Sequence, residues 1–302
     1  MASNDDDEPW FGLLGAFCHH IVSLSWLDVR IGRDGASGDA DTYDPKVFSV
    51  SAFVISVRNV WFLVTAGHIL RDLDRRLRAG RRIVNSRLID GFSSGKSFPA
   101  IPFTLGDTPQ WYVYDDGLDY ALIPLRLSFV LQLMAGGVSA LGENAWTNVP
   151  DSPDAYFLLG FPTQGAEIAV TSDGGKGNVN VSLGTPLLPI QPVNDPPDAL
   201  KRGAERFYAS VPIKTGNAGG KTITLTDIDG MSGGPIFAIQ RADNHRFQYR
   251  VVAVQSGWTE RSRVLAACPI QPLVDAIAKC IDAHGDDLAK HEIETDSLRH
   301  GA

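Results

Sequence analysis

A chain of 302 residues with 44% hydrophobic residues can bury a sizeable core and is long enough for one or two domains. Its formal net charge of −8 argues against general nucleic-acid binding, and no apolar run is long enough to cross a membrane. Its 3 cysteines, Cys18, Cys268 and Cys280, make no disulfide framework, so stability has to come from packing.

The first eight residues are acidic and lack the basic start and apolar stretch of a secretion signal, so a cytosolic location is expected. Cys18-His19-His20 has metal-ligand chemistry but no spaced second pair, and neighbouring residues do not readily complete a tetrahedral site. Neither a metal nor a cofactor is expected. From there on, 30 glycines and 18 prolines separate many short β-rich runs, which favours an all-β architecture. The apolar run Val60-Trp61-Phe62-Leu63-Val64 reads as a buried strand, and Ala66-Gly67 gives the chain room to turn. His68 then stands at a strand end, beside a cleft; taken alone it reads equally as a core or loop histidine satisfied by a backbone carbonyl.

Leu70, Leu73 and Leu77 follow at helical spacing within an arginine-rich stretch, with Asp72/Arg76 and Asp74/Arg78 as candidate i,i+4 pairs. The default for this stretch is a solvated helix face, the alternative a docking patch for an acidic partner or substrate. Further on, three acids compete in Asp115-Asp116-Gly117-Leu118-Asp119. Asp115 and Asp116 look like turn residues, whereas Asp119 directly precedes the hydrophobic strand Tyr120 to Leu125 and is the one expected to be held rigidly.

Gly174-Gly175-Lys176-Gly177-Asn178 reads as a hairpin turn, and the proline-rich segment from Gly184 to Gly203 as a long irregular loop, a candidate cover for a cleft. Gly216 to Thr222 resembles a phosphate loop, but the alternating Thr222-Ile223-Thr224-Leu225-Thr226 behind it is a strand pattern where a phosphate loop must open a helix. Gly230-Met231-Ser232-Gly233-Gly234-Pro235 puts a serine on a glycine-lined bend, where the amides of Gly230 and Ser232 can point at one spot. Leu273, Ile277 and Ile281, four apart, suit an amphipathic C-terminal helix.

Thr65-Ala66-Gly67-His68, Asp119-Tyr120-Ala121-Leu122-Ile123 and the serine turn resemble, in this chain order, the three signature blocks of trypsin-like (chymotrypsin-fold) serine peptidases. The likeness covers roughly Phe48 to Ile281 and resembles a stand-alone intracellular bacterial-type member. It implies two packed six-stranded-type β-barrels with a C-terminal α-helix and a triad between the barrels. The implied layout is an N-terminal extension at 1–20, a first barrel with His68 and Asp119 at 21–135, and an inter-barrel connection at 136–155. A second barrel with Ser232 at 156–268, a helix at 269–285 and a mobile tail at 286–302 complete it. Leu158-Leu159-Gly160-Phe161-Pro162 is similar to the opening strand of the second barrel. Val251 to Gly257 is similar to the strand beside the primary specificity pocket, with Ser256 expected to hydrogen-bond the triad aspartate.

In the family chemistry, Ser232 attacks a peptide carbonyl, His68 moves the proton and Asp119 orients His68, with the Gly230 and Ser232 amides as oxyanion hole. Thr226, Asp227, Gln255, Ser256, Gly257 and Trp258 are the expected substrate-binding residues. Thr226 stands where trypsin keeps its pocket-floor aspartate, so a neutral or small residue before the cut is expected. Met231 replaces the aspartate that secreted digestive members pair with a freshly cut N-terminus, so no such cleavage should be needed. Ile69 replaces the cysteine that usually follows the family histidine. The expected partner is a protein or peptide substrate, with an activating or gating protein as a further candidate. The alternatives are a catalytically silent peptide-binding module and a partner-activated regulatory protease of a stress or defence system.

Overall fold

A computed structural model of the chain describes residues 8–30, 46–90, 100–105, 111–113, 117–163, 167–173, 176–182, 187–201, 203–216, 222–241 and 247–297. Of the stretches read above, Asp115 and Asp116, Gly174-Gly175, and Asn217 to Lys221 lie outside the described residues. The chain folds mostly as β-structure. Seven strands build a first antiparallel sheet: β1 (Ile21–Arg30), β2 (Lys46–Val57), β3 (Val60–Ala66), β4 (Arg81–Asp90), β5 (Ile101–Pro102), β6 (Trp111–Val113) and β7 (Tyr120–Pro124). Their order is β5-β4-β1-β2-β3-β7-β6, one strand more than the six expected, and no pairing of the edge strands β5 and β6 closes it among the described residues.

The remaining strands are β8 (Ala155–Leu159), β9 (Glu167–Asp173), β10 (Lys176–Ser182), β11 (Leu187–Pro192), β12 (Phe207–Ser210), β13 (Lys214–Gly216), β14 (Thr222–Thr224), β15 (Pro235–Arg241), β16 (Phe247–Thr259) and β17 (Val264–Pro269). Six of them form a closed barrel in the order β11-β12-β17-β16-β15-β8. The other four pair as two hairpins, β9 with β10 and β13 with β14, so both glycine-rich stretches join antiparallel strands.

Strand periodicity explains how the two halves share a core. Residues i and i+2 face the same side of a strand, and β2 is buried on both. Phe53, Ile55 and Val57 enter a cluster that also takes Phe157, Leu159, Phe237 and Val251 from the barrel, while Val50, Ala52 and Val54 pack inside the first sheet. The shared cluster is completed by helices at both ends of the chain. Helix α1 (Glu8–Cys18) inserts Phe17, whose ring stacks on Phe237 at 4.5 Å between centroids. Helix α4 (Ile270–Ser297) adds Leu273 and Ile277.

Several local expectations change. The N-terminal stretch is a helix with a core anchor, and α4 runs on past Gly285 to Ser297. A further helix, α3 (Leu127–Ala135), follows β7. The proline-rich stretch contributes β11 to the barrel and a short 3-10 turn at Asp198–Leu200. Helix α2 (Gly67–Arg78) forms as its leucine spacing predicts and buries Leu70 and Leu73, but Leu77 is exposed. Arg76 reaches the fully buried Asp28 at 2.6 Å, joined there by Arg81 at 2.6 Å, and Arg75 pairs with Asp72 at 3.1 Å. A buried carboxylate draws in the cations that can reach it, because alone it would be costly. Burial raises the pKa of Asp28, but the Arg81 and Arg76 hydrogen bonds outweigh it and hold it below its ordinary value. No described helix is long and apolar enough to cross a membrane.

Candidate active site

Strand β3 ends at Ala66 and α2 starts at once, so His68 sits in the first turn of a helix whose N-terminal amides need acceptors. Asp119 supplies one. Its Oδ1 accepts from the His68 backbone N–H at 2.8 Å, and its Oδ2 lies 2.7 Å from His68 Nδ1. The Gly67 N–H donates to the Asp119 carbonyl at 3.1 Å. Asp119 is buried and enters β7, where every residue from Tyr120 to Pro124 is buried, so the carboxylate has little freedom. A proton on Nδ1 shared with a carboxylate leaves Nε2 as the free, basic nitrogen. The His68 side chain is one third exposed, 33%, which keeps that nitrogen reachable.

One helical turn on, Arg71 Nη2 donates to Asp119 Oδ1 at 3.2 Å. Spacing i,i+3 puts Arg71 on the same side of α2 as His68, a relation legible in the sequence but overlooked there.

Ser232 is carried by a turn whose glycines are obligatory. Gly230 and Gly233 have φ of +90° and +91°. A Cβ on Gly233 would lie 2.3 Å from Ser51 O and from Thr65 Oγ1, and 2.9 Å from Ala66 N. The serine turn is therefore pressed against the end of β3, two residues before His68. Met231 is fully buried and packs on Gly160.

The amides of this turn are aimed by their carbonyls, because N–H and C=O of one trans peptide point opposite ways. The Asp229 carbonyl accepts from Thr163 N at 2.7 Å and Thr163 Oγ1 at 2.8 Å, which turns the Gly230 N–H away from Thr163. The Met231 carbonyl accepts from Gly234 N at 2.8 Å, which orients the Ser232 N–H likewise. Among the described residues neither N–H donates to a protein acceptor. The Gly230 carbonyl is held by Ser51, from its N–H at 2.9 Å and its Oγ at 2.8 Å, and that Oγ also accepts from Phe161 N at 2.8 Å. Ser51 and Thr163 come from segments far from the motifs, and no local signal marks them.

Two expectations at β16 are corrected. Ser256 does not hydrogen-bond Asp119. The β16–β17 ladder slips between Gln255 and Gly257, leaving Ser256 as the extra residue of a bulge, which re-aims its side chain. Ser256 Oγ accepts from Arg206 Nη1 at 3.0 Å, while His68 and Arg71 take both Asp119 oxygens. Gln255, expected among the substrate-binding residues, keeps its side chain buried: it is 1% exposed, and its Nε2 donates to Gly257 O at 3.1 Å. Trp258 packs on the barrel's own apolar cluster, with the Arg263 guanidinium 5.5 Å above its ring. Thr226 is exposed, and Asp227 Oδ1 accepts from Asp229 N at 2.9 Å. Burial, then the charges of Asp227 and Glu260, push the Asp229 carboxyl above its ordinary range.

A cavity of about 310 Å³ opens beside the pair, lined by His68, Arg71 and Asp119 on one side and by Leu200, Arg206, Ser256 and Gly257 on the other. The buried Cys268 Sγ accepts from Asp119 N at 3.3 Å. Elsewhere, the histidines read as possible ligands have other partners. His19 Nδ1 lies 2.7 Å from Gly137 O, and His20 lies 2.8 Å from Ser139 O and 2.9 Å from Tyr249 Oη.

No protein-family model matches the chain, nor does any curated protein. Among solved structures it is similar to the inactive form of Rv3671c from M. tuberculosis H37Rv, with 14% identity, coverage of 92% of this chain and 95% of that one, and a TM-score of 0.40. It is similar to a Tobacco Etch Virus protease mutant, with 11% identity, 86% and 77% coverage and a TM-score of 0.40. Deg5 is a third, with 11% identity, 91% and 95% coverage and a TM-score of 0.40. Likenesses this distant carry no argument about activity, which has to come from the chain's own residues.

Proposed function

We propose that this chain is a serine endopeptidase of the trypsin-like type, working through His68, Asp119 and Ser232. The observation that carries the reading is the 2.7 Å contact of His68 Nδ1 with a buried Asp119, beside a serine turn with two aimed, unpartnered amides. Ser232 Oγ attacks the scissile carbonyl as His68 Nε2 takes its proton, and the Gly230 and Ser232 amides receive the oxyanion. His68 returns the proton to the leaving amine, and water then cleaves the acyl-enzyme by the same route. The peptide pairs along β16 beyond Gln255, whose own backbone groups are bonded to Gly233 and Gly234, where the strand keeps β17 on one side and has left β15 on the other. A cytosolic setting belongs to this reading and agrees with three cysteines that are all free.

A second reading has its own observation. Among the described residues the Ser232 hydroxyl makes no hydrogen bond, an arrangement that also suits a protease activated by a partner. Intact mass after fluorophosphonate treatment tests both. A single adduct on the wild type, absent from Ser232→Ala and His68→Ala, is the expected result, with turnover in either variant lower by several orders of magnitude. A folded wild type that takes no adduct overturns the constitutive reading, and an adduct appearing only when a partner is added establishes the second.

A further inference from the structure

Arg206 is the least explained charge near the site. It directly precedes β12 and is half-buried. Its Nη1 donates to Ser256 Oγ at 3.0 Å and its Nη2 to the Gly117 carbonyl, so the guanidinium crosses from the barrel to the first sheet. Both acceptors are neutral. Its Nε is buried without an acceptor, and among the described residues no carboxylate forms an ion pair with it. The acid lining the same cavity, Asp119, has both oxygens engaged by His68 and Arg71. Within a chain of net charge −8, the described residues lining this cavity therefore set two guanidinium groups against one carboxylate. A partly buried cation without a counter-ion is costly, and an anion entering the cavity that Arg206 lines would relieve that cost.

The walls narrow the choice of anion. Leu118, Leu200 and Ala266 give the cavity an apolar lining below the charges, and about 310 Å³ holds one side chain comfortably. Methylenes ending in a carboxylate match such a surface; a bulky or doubly charged group does not. Gly257 and Ser256 lie on the strand edge where the peptide is placed, whereas Ser232 does not line the cavity.

We propose that this cavity selects a glutamate or aspartate side chain of the peptide substrate, at a position near the scissile bond other than the residue whose carbonyl is attacked, with Arg206 as the recognising group. The proposal rests on the reading of the chain as an endopeptidase. It makes the enzyme selective for acidic segments although its own surface is acidic, since attraction is confined to the cleft.

The test compares peptide libraries in which Glu and Asp are exchanged for Gln and Asn at each position flanking the cut, using the full chain. A charged hydrogen bond to a partly buried guanidinium predicts an acid-over-amide ratio in kcat/KM of about 10-fold or more at one position. In Arg206→Gln the ratio falls to within about twofold, and Arg206→Lys, keeping charge without the fork, retains part of it. Thermal unfolding checks that both variants fold. Binding of fluorescent acidic and amide peptides to Ser232→Ala, with and without Arg206→Gln, asks the same question without turnover. Absence of fluorophosphonate labelling sinks the protease reading alone. Equal handling of acid and amide in both measurements, or a preference untouched by Arg206→Gln, sinks the proposal.

Discussion

The histidine side and the serine side of the cleft are held by different means. His68 and Asp119 are locked through side chains: a carboxylate at a helix start, bonded to a backbone N–H, an imidazole and a guanidinium. The serine turn is locked through its backbone, by hydroxyls of Ser51 and Thr163 on carbonyl oxygens and by glycines at van der Waals limits. Charge-assisted bonds tolerate small displacements because the attraction is strong and long-ranged. A turn with no room for even one added carbon, whose Cβ would fall 2.3 Å from Ser51 O, tolerates none, so the serine side should be the brittle one.

The sharpest way to break this comparison is Gly233→Ala. The new Cβ would meet backbone and Thr65 at 2.3 Å in a φ of +91°, so a destabilisation of about 4 kcal/mol or more is expected, with loss of fluorophosphonate labelling. Denaturant unfolding reads the first and intact mass the second. Near-normal stability would mean the turn is not wedged against β3.

Next comes Ser51→Ala, which removes one donor to the Gly230 carbonyl and leaves the Phe161 N–H unsatisfied in a buried site. About 1–3 kcal/mol of stability is expected to go, and the labelling rate to drop by roughly tenfold as the amides lose their aim. Thr163→Val, which keeps the backbone bond at 2.7 Å, should cost less, and Thr163→Ser should restore it. A fall in kcat under conditions where denaturant unfolding shows the variant fully folded separates aiming from simple loss of folding.

A pH test addresses the seam between the two halves. Burial first, and His19 to a lesser degree, hold His20 below its ordinary imidazole value against the raising effect of its bond to Ser139. The unfolded chain then takes up a proton, as pH falls through about 6.5, that the folded chain refuses. Stability contributed by this site is present above that pH and lost below it. Urea midpoints measured downward from pH 7 should fall more steeply in the wild type than in His20→Gln, and parallel curves would dismiss the effect.

The smallest effect is expected from Arg71→Gln. Its side chain is 46% exposed and its bond to Asp119 is 3.2 Å long, so solvent screening leaves it a stability contribution of about 0–1 kcal/mol. Labelling should slow only about two- to threefold. A loss of orders of magnitude would show that Asp119 is held mainly by Arg71, reversing the ranking of its partners.

Local chemistry was legible in the chain itself. A strand that ends in Ala66-Gly67-His68, an acid entering an all-apolar strand and a glycine-framed serine each specify their own backbone, and so do the leucines of α2. The strand pattern behind Gly216 to Thr222 likewise speaks against a phosphate loop, and Thr222–Thr224 forms a strand. What depends on neighbours brought from afar was not legible. Arg76 meets Asp28 in place of its helix neighbour Asp72, and α1 becomes a helix with Phe17 as its core anchor because Phe237 and Tyr249 offer it a surface. Ser256 turns from the aspartate because a bulge in β16 and the reach of Arg206 decide its direction. By itself the sequence determined the local backbone around His68, Asp119 and Ser232, since periodicity, turn chemistry and residue type act over a few residues. Only the tertiary structure decided which side chains face the cleft and bond to one another there, because burial leaves each polar atom to the best partner within reach, whatever its distance along the chain.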